Sequence, residues 1–544
     1  MDHRPPQIFK LHEEVLRHIF ELNADMYLEA ETNSSEESYG QTPWDHRALN
    51  VVRHISQVCQ YWRDLVISSS SIWGNVIDLY LLWQENGHWR NEVLRRAGNS
   101  SLCIKGVVSD NGAPVRAFFD DLMKNHWSRI RKLDVAVRDY RLLDNEVWIT
   151  LQHPAPQLEL FKLELEGWSS RPLFSTSHTS LFSHNAPSLR EFHFTYHPGL
   201  EVDLDLRTPW LSQLRRIGLT ATFPISRILD ALVDMPLLES LELQSDLPDI
   251  PVPRRRIDLP RLSRIKINPP TKLRVALSVL ESIAAAPGCA LILTTIDTRR
   301  INVTHEDLYA LQKIISEYAS GYFGLIPPEG LTVSLSYRTF SFYFPPLDMS
   351  FLRPKPPSFC VDMYCDFPLS PGSFNILLDS FSSCLFSKVT TLNIIIGRHT
   401  ELDKEANTTS RETLASFLSL FPSVEVLEVP EYSLQVLLTI FEQEPRLCRL
   451  LDTLKIDYME PATHLFPDVL LRFLDQREGD GFPIKVLDIT GLATREPRDW
   501  RFLERKVGLE VVWVQGDVLF EYICGSGELE KLNSRIGCSP RNHP

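Results

Sequence analysis

Two segments near the start of the chain place apolar residues at the spacing of a helical face. They run over 8–20 and 54–66, with apolar side chains recurring at intervals of three and four residues. This spacing predicts two amphipathic helices. A serine run at 68–71 leads into Ile72 and Trp73, an apolar anchor for a small helical module. Because so short a module buries little surface, it needs a neighbour or a partner.

From about residue 100 onward one pattern returns, apolar-x-x-apolar-x-apolar, at intervals of about 24 to 35 residues. The last three positions of the pattern alternate between apolar and other residues, as in a short strand with one buried face. Between copies, apolar residues at i, i+3, i+4 and i+7 predict helices. A helix followed by a strand, repeated, is the unit of a solenoid. The copies begin at Ile130, Leu158, Leu189, Leu214, Leu238, Leu262, Val389, Val424, Leu451 and Ile484.

One such unit cannot fold alone. Burying four apolar side chains stabilises it by roughly 6–12 kcal/mol, whereas ordering about 25 residues costs ~1–2 kcal/mol per residue for the backbone alone. Stacked units share a continuous core and offset this cost. The pattern therefore predicts an α/β repeat array over 101–515. It is least regular at 290–366, where repeats with insertions and a small inserted domain both remain open.

The composition indicates whether the chain folds and which partners its charge disfavours. An apolar fraction of 43% and a charged fraction of 23% are those of a folded chain. The net charge of −14 argues against nucleic acid or an anionic membrane as the main partner, and the basic run at 254–256 fits a solvated loop. No stretch reaches the ~18 apolar residues that span a bilayer. Nine cysteines without a Cys-x-x-Cys pair indicate reduced thiols, and hence a cytoplasmic or nuclear location.

The chain carries none of the common catalytic or cofactor motifs. There is no Gly-x-Ser-x-Gly elbow, no phosphate-binding Gly-x-x-x-x-Gly-Lys-Ser/Thr loop and no His-Glu-x-x-His helix. The dispersed histidines do not indicate a metal site. We therefore expect a protein without enzymatic activity, cofactor or metal, with an enzyme in the 290–366 region as a minor alternative.

The first eighty residues resemble an F-box. Residues 11–20 match its first half through Leu11, Glu14, Val15, Leu16, Ile19 and Phe20, and residues 55–73 match its second half. The continuation to residue 98 is similar to the large F-box families of mushroom-forming fungi. There are two departures: His12 stands where the family usually has proline, and the half-motifs are separated by a polar-acidic insertion at 23–50. That insertion is either neutral or a regulatory phosphorylation site.

The resemblance implies a domain order. An all-helical F-box module occupies 1–80, and a helical connector follows at 81–100. An irregular leucine-rich-repeat solenoid then occupies 101–515, with short parallel strands on its concave face and helices on its convex face. Residues 516–544 form a C-terminal tail.

The resemblance also implies a function, that of a substrate-recognition adaptor in an SCF-type E3 ubiquitin ligase. The F-box helices would bind the ligase's adaptor subunit, and through it the cullin scaffold, in a helix-in-groove mode. A helical cap that only closes the repeat array, in a protein-binding scaffold that engages no ligase, is the alternative. The docking candidates are Leu11, Val15, Leu16, Ile19, Val58, Trp62, Ile72 and Trp73.

The repeat surface would bind a protein substrate that the sequence does not identify. Polar residues between the apolar strand positions are the candidates, although plain solvated side chains would show the same pattern. They are Glu164, Glu191, Arg216, Glu242, Lys266, Glu428, Lys455 and Asp488.

Overall fold

The chain divides into two compact units. The first comprises Met1–Leu262 with Ser282–Ala284, and the second comprises Ser263–Glu281 with Ala285–Pro544. The computed structural model of the protein describes residues 11–27, 47–109, 112–139, 142, 146–166, 180–196, 206–220, 225–244, 256–269, 271–284, 286–297, 303–345, 358–365, 368–369, 372–397, 408–456, 466–491, 499–515 and 518–532. Most of the acidic insertion lies outside these residues, as does the basic run at 254–255.

The N-terminal part of the first unit is helical. The single helix predicted over 54–66 is instead two helices, because Cys59 has an extended backbone and interrupts it. The Cys59 side chain begins the later helix by accepting a hydrogen bond from the backbone N–H of Trp62. The helices are α1 (Glu13–Asn23), α2 (Ala48–Val58), α3 (Gln60–Ser68), α4 (Ser70–Gly74) and α5 (His88–Ala97).

Seven strands in the described part of this unit, β1 to β7, follow and pair in parallel in chain order. Helices α6 (Ala113–His126) and α7 (Ile225–Leu232) and several short 3-10 helices connect the strands. The strands are β1 (Ile77–Asp78), β2 (Leu102–Val108), β3 (Ile130–Val137), β4 (Leu160–Leu165), β5 (Glu191–Tyr196), β6 (Arg216–Thr220) and β7 (Ser240–Gln244). A separate parallel pair joins β8 (Ile257–Asp258) to β10 (Ile283–Ala284).

The core of the first unit lies on one face of this sheet, where alternate strand residues are buried. Phe161 stacks on Phe192 with ring centroids 5.4 Å apart, and Phe192 lies 5.2 Å from Trp210. Phe182 meets Phe161 edge-on at 5.4 Å. The aromatic rings thus continue from one repeat to the next, which is the continuous core that stacking requires.

The described strands of the second unit pair mostly in parallel. Its helices are α8 (Leu273–Ser282), α9 (His305–Phe323), α10 (Ser373–Asp379), α11 (Thr408–Leu418), α12 (Glu431–Gln443) and α13 (Phe466–Gly479). Its strands are β9 (Arg264–Asn268), β11 (Ala290–Asp297), β12 (Gly330–Ser336), β13 (Thr339–Phe344), β14 (Phe359–Cys365), β15 (Thr391–Ile396), β16 (Val426–Val429), β17 (Thr453–Ile456), β18 (Val486–Asp488), β19 (Glu510–Gln515) and β20 (Val518–Ile523).

The region at 290–366 is part of this sheet but departs from chain order. Strand β11 pairs with β14, and β12 pairs with β15, both in parallel. Between them, β13 is antiparallel to both β12 and β14. The order is therefore β9-β11-β14-β13-β12-β15, followed by β16 to β20, so a three-stranded meander is inserted into the parallel array.

The second unit's sheet also extends beyond the predicted repeats. Within the segment assigned to a C-terminal tail, Val518–Ile523 form β20, which pairs antiparallel with β19. The apolar run from Val518 to Phe520 provides the strand-forming side chains.

The predicted α/β class is confirmed as mostly parallel sheet with helices. Each of the ten repeat copies contributes a strand with parallel neighbours. Among the described residues no helix is both long enough and apolar enough to cross a membrane.

Candidate interaction surfaces

The eight docking candidates divide into buried and exposed side chains. Leu16, Ile72 and Trp73 are buried, so they hold the helices together and are removed from the candidate surface. Leu11, Val15 and Val58 are 38%, 46% and 58% exposed. Ile19 and Trp62 are half-buried.

Within the buried group, Trp73 connects α4 to α3 and to α5. The indole N–H of Trp73 donates to the backbone oxygen of Val66 at 2.9 Å, and the Arg96 guanidinium lies 4.5 Å from the Trp73 ring centroid. Phe20 meets Trp62 edge-on at 4.9 Å. Trp62 therefore joins α1 to α3 and offers only part of its surface to a partner.

The exposed apolar side chains of α1 to α3 form what we call the helical apolar set. On α1, Val15, half-buried Ile19 and Leu22 follow one helical stripe, while Leu16 and Phe20 follow the neighbouring buried stripe. Except for Leu11, which lies just before α1, the side chains of this set are on packed helices and offer a preformed surface to a partner. The set comprises Leu11, Val15, Leu22, Val58, Tyr61 and Ile67.

Buried polar contacts join the helices to the sheet of the first unit. Arg47 and Asp78 form an ion pair with Nη1 3.1 Å from Oδ2, and both side chains are buried. The Arg47 guanidinium also lies 4.1 Å from the Tyr80 ring centroid. Burial raises the pKa of Asp78, and the charge of Arg47 opposes that rise.

The end of α1 makes a second connection to the sheet. The Tyr27 hydroxyl donates to the backbone oxygen of Ile104 at 3.1 Å, and Lys105 donates to the backbone oxygen of Met26 at 3.1 Å. The Lys132 ammonium lies 4.5 Å from the Tyr27 ring centroid. The helical region and the sheet of this unit are thus held in one fixed geometry.

The face of this sheet opposite the core carries a polar row with one residue per strand, which we call the first polar row. Charge alternates over its first four positions, and Lys162 lies 3.9 Å from Asp134 across adjacent strands. Opposite charges on neighbouring strands stabilise a sheet. The row is Asp78, Lys105, Asp134, Lys162, His193, Gly218 and Glu242.

Gly218 determines the position of His193 in this row. A Cβ at Gly218 would lie 2.1 Å from Nδ1 of His193, so the ring occupies the space that a side chain would need. The ring thereby lies between two carboxylates, with Nε2 3.3 Å from Glu191 and Nδ1 3.9 Å from Glu242. Burial raises the pKa of Glu191, but the hydrogen bond to His193 and the charge of Arg216 outweigh it and bring the pKa below its usual value.

A second row, polar except at Ile292, Cys360 and Val512, crosses the sheet of the second unit, and we call it the second polar row. Lys455 donates to Glu428 at 2.6 Å, and Asp488 is the next residue in register. Thr332 and Asn393 are buried, so the middle of this row is less accessible than its end. The row is Lys266, Ile292, Cys360, Tyr343, Thr332, Asn393, Glu428, Lys455, Asp488, Val512 and Glu521.

The eight substrate candidates all lie on the faces that carry these rows, four in each unit. Lys266, Glu428, Lys455 and Asp488 belong to the second polar row, and Glu242 belongs to the first. Glu191 and Arg216 lie beside the first row and form an ion pair at 3.3 Å, and Glu164 lies beside it on β4. The sequence analysis did not name Asp134, Lys162, His193 and Asn393 as candidates. Strand alternation nevertheless places each of them on the face of its sheet that carries a polar row.

No family model matches the chain, and no curated protein matches it. Among solved structures, the chain is similar to a Bacteroides fragilis protein determined as a structural-genomics target. The two are 10% identical with a TM-score of 0.20, over 73% of this chain and 77% of that chain. A likeness at this level carries no argument about function.

Proposed function

We propose that the protein is a substrate-recognition adaptor of an SCF-type E3 ubiquitin ligase, and that it has no catalytic residues of its own. The observation that carries the proposal is the pairing of two surfaces in one compact unit. The helical apolar set lies in the region that resembles an F-box. A buried ion pair and two part-buried hydrogen bonds join that region to a sheet with a polar outer face.

The helical apolar set would bind the ligase's adaptor subunit. Exposed Leu11, Val15 and Val58 are motif residues and supply apolar anchors for a hydrophobic groove. His12 has φ −64° and ψ 146°, so it takes the backbone angle that proline imposes. The replacement of the family's proline therefore leaves the entry to α1 in a proline-compatible conformation, which supports docking.

The sheet faces would bind the substrate. This part of the proposal takes the sheets as leucine-rich-repeat sheets, with strands on the concave face and helices on the convex face. The charged pairs Glu191–Arg216 and Glu428–Lys455 supply directional polar contacts for a protein surface. Holding a substrate beside the ubiquitin-charged enzyme raises its effective concentration, so no chemistry is required of this chain.

Co-purification with the ligase's adaptor subunit tests the docking step. We expect a stoichiometric complex for the wild type and its loss in Val15→Asp combined with Val58→Asp. Both side chains are exposed, so the variant should keep its circular dichroism spectrum. Leu385→Asp, at an apolar residue that is 79% exposed in the second unit, is the matched control and should bind as the wild type does.

The scaffold that engages no ligase makes the opposite prediction. In that case the wild type and both variants would all fail to retain the adaptor subunit, although each remains folded. Retention by the Val15→Asp, Val58→Asp variant at wild-type affinity would instead place the docking surface elsewhere on the chain.

A further inference from the structure

Strand β20 is an edge strand whose exposed side chains are mainly apolar. In the described part of the chain it pairs with β19 and with no other strand. Val518, Leu519 and Ile523 are 56%, 56% and 58% exposed, and Phe520 is 38% exposed. The strand contains no lysine and no proline, the residues with which proteins usually protect such an edge.

The strand is anchored from its inner side. Tyr522 is buried, and its hydroxyl donates to Glu504 at 2.9 Å and accepts from the backbone N–H of Glu528 at 3.1 Å. Phe520 stacks on Trp513 with centroids 5.7 Å apart. The chain then turns back, since the backbone N–H of Trp500 donates to Leu532. The edge is therefore a formed strand rather than a frayed end.

The backbone of β20 specifies what kind of partner fits. Cys524 donates its backbone N–H to Leu509, and the antiparallel register continues without a break from Ile523 to Val518. Because backbone groups alternate in direction along a strand, those of Leu519, Glu521 and Ile523 point away from β19. The Ile523 oxygen accepts from the backbone N–H of Ser526, so the row open to a partner centres on Leu519 and Glu521. Only another extended strand can pair with such a row of donors and acceptors.

We propose that this edge pairs with β20 of a second copy of the chain, giving a two-fold symmetric dimer. In such a dimer, residues whose backbone groups point away from β19 must pair with the same kind of residue in the second copy. The two-fold axis must therefore pass between one residue and the same residue of the second copy. An axis at Glu521 would place like charges opposite each other, which is destabilising. An axis at Phe520 places Phe520 opposite Phe520 and Glu521 opposite Leu519.

The register at Phe520 also pairs Val518 with Tyr522. Aromatic pairs and pairs of aromatic with β-branched side chains are the favoured cross-strand neighbours. The strand can therefore pair with itself without opposing like charges and with favoured side-chain neighbours. An edge of six residues falls below the ~1,200 Å² of a standard stable interface, so the dimer is reversible.

Sedimentation equilibrium of the full chain over a concentration series tests the proposal. The wild type should approach twice the monomer mass at high micromolar concentration and dissociate on dilution. Leu519→Lys and Ile523→Lys should each weaken dimerisation at least tenfold. Leu385→Lys, at an apolar residue outside the strand that is 79% exposed, is the matched control and should dimerise as the wild type does.

A second measurement tests the register. Phe520→Cys should form an interchain disulfide on mild oxidation, since the two-fold axis brings these residues together, whereas Leu385→Cys should not. A wild type that stays monomeric throughout overturns the proposal, as does a dimer that persists in Leu519→Lys. Capture of a different protein's strand by the wild type without self-association would also overturn it.

Discussion

At the residue scale, the ion pair between Arg47 and Asp78 connects the helices to the sheet of the first unit. Both side chains are buried, so removal of the cation leaves an uncompensated buried carboxylate. We expect Arg47→Ala to destabilise the unit by about 3–5 kcal/mol. Chemical denaturation would measure this loss.

The control is Arg17→Ala. Arg17 forms an ion pair with Glu13 at 2.8 Å, and the two side chains are 44% and 50% exposed. Exposed pairs of this kind contribute ~0–1 kcal/mol to the free energy of unfolding. If Arg17→Ala and Arg47→Ala lowered the free energy of unfolding equally, burial would not explain the effect of Arg47→Ala.

A second residue-scale prediction concerns Glu92 on α5. Hydrogen bonds from Arg95 and Arg96 lower its pKa from 4.5 to about 2. Because the folded-state pKa is depressed, the stabilisation is present above pH 4.5 and is lost as the pH falls towards 2. Glu92→Gln should therefore be less stable than the wild type near neutral pH, and the difference in denaturation midpoint should shrink below pH 4.5.

Salt provides the check on this mechanism. The Arg95 side chain is 69% exposed, so about 1 M salt should screen the interaction and reduce the difference near neutral pH as well. A difference that is independent of both pH and salt would point to packing instead of charge.

At the element scale, Gly218 on β6 tests how the first polar row is built. A methyl group there would displace the His193 ring from its place between Glu191 and Glu242. We expect Gly218→Ala to destabilise the first unit by about 1–3 kcal/mol. Thermal denaturation would measure the loss.

Gly321 on α9 is the matched control, because a Cβ there meets no atom within 4 Å. Gly321→Ala should stabilise the helix by about 0.5–1 kcal/mol. The two substitutions thus have opposite predicted signs, and a shared sign would contradict the account of Gly218.

The strands of the ten repeat copies and many of the helices could be predicted because their signal is local, whereas β2 and β20 were missed. Alternation from Leu238 to Leu243 is enough to form β7. Helix α9 was missed, although Thr304 and Asp307 form a capping box at its start and give a readable signal. The partners of β12 to β14 could not be predicted, since alternation identifies a strand but not its neighbours.

The same limit applies to the candidate surfaces. Alternation placed Glu428 and Lys455 on the outward face, whereas their contact depends on the register between β16 and β17. On α1 the apolar stripe is broad enough to include both Val15 and Leu16, which differ by about 100° around the helix. Only the packing of α1 on the other helices decides which of the two is exposed.

At the scale of the whole molecule, a repeat array should confine damage to its neighbourhood, since each repeat contacts mainly the next. Arg477 is buried in the second unit and donates to the backbone oxygens of Leu447 at 3.1 Å and Cys448 at 2.9 Å. Arg477→Leu leaves the Leu447 oxygen without this donor, whereas the Cys448 oxygen still accepts from the backbone N–H of Leu451. We therefore expect a loss of ~1–3 kcal/mol.

Hydrogen exchange would locate the effect of Arg477→Leu. We expect faster exchange over 431–482 and unchanged exchange over 47–109, because local opening involves cooperative segments rather than the whole chain. A uniform increase across both ranges would show that the array behaves as one cooperative body.

The meander of the second unit has a consequence for synthesis on the ribosome. Each strand of the sheet in the first unit pairs with the strand of the adjacent repeat. In β11, by contrast, Ile292 pairs with Cys360, which is synthesised roughly 70 residues later. At ~5–20 residues per second, the nascent strand β11 stays without this neighbour for several seconds. Chaperones that protect nascent apolar segments would have their longest opportunity to bind here, while the earlier sheet can assemble as it emerges.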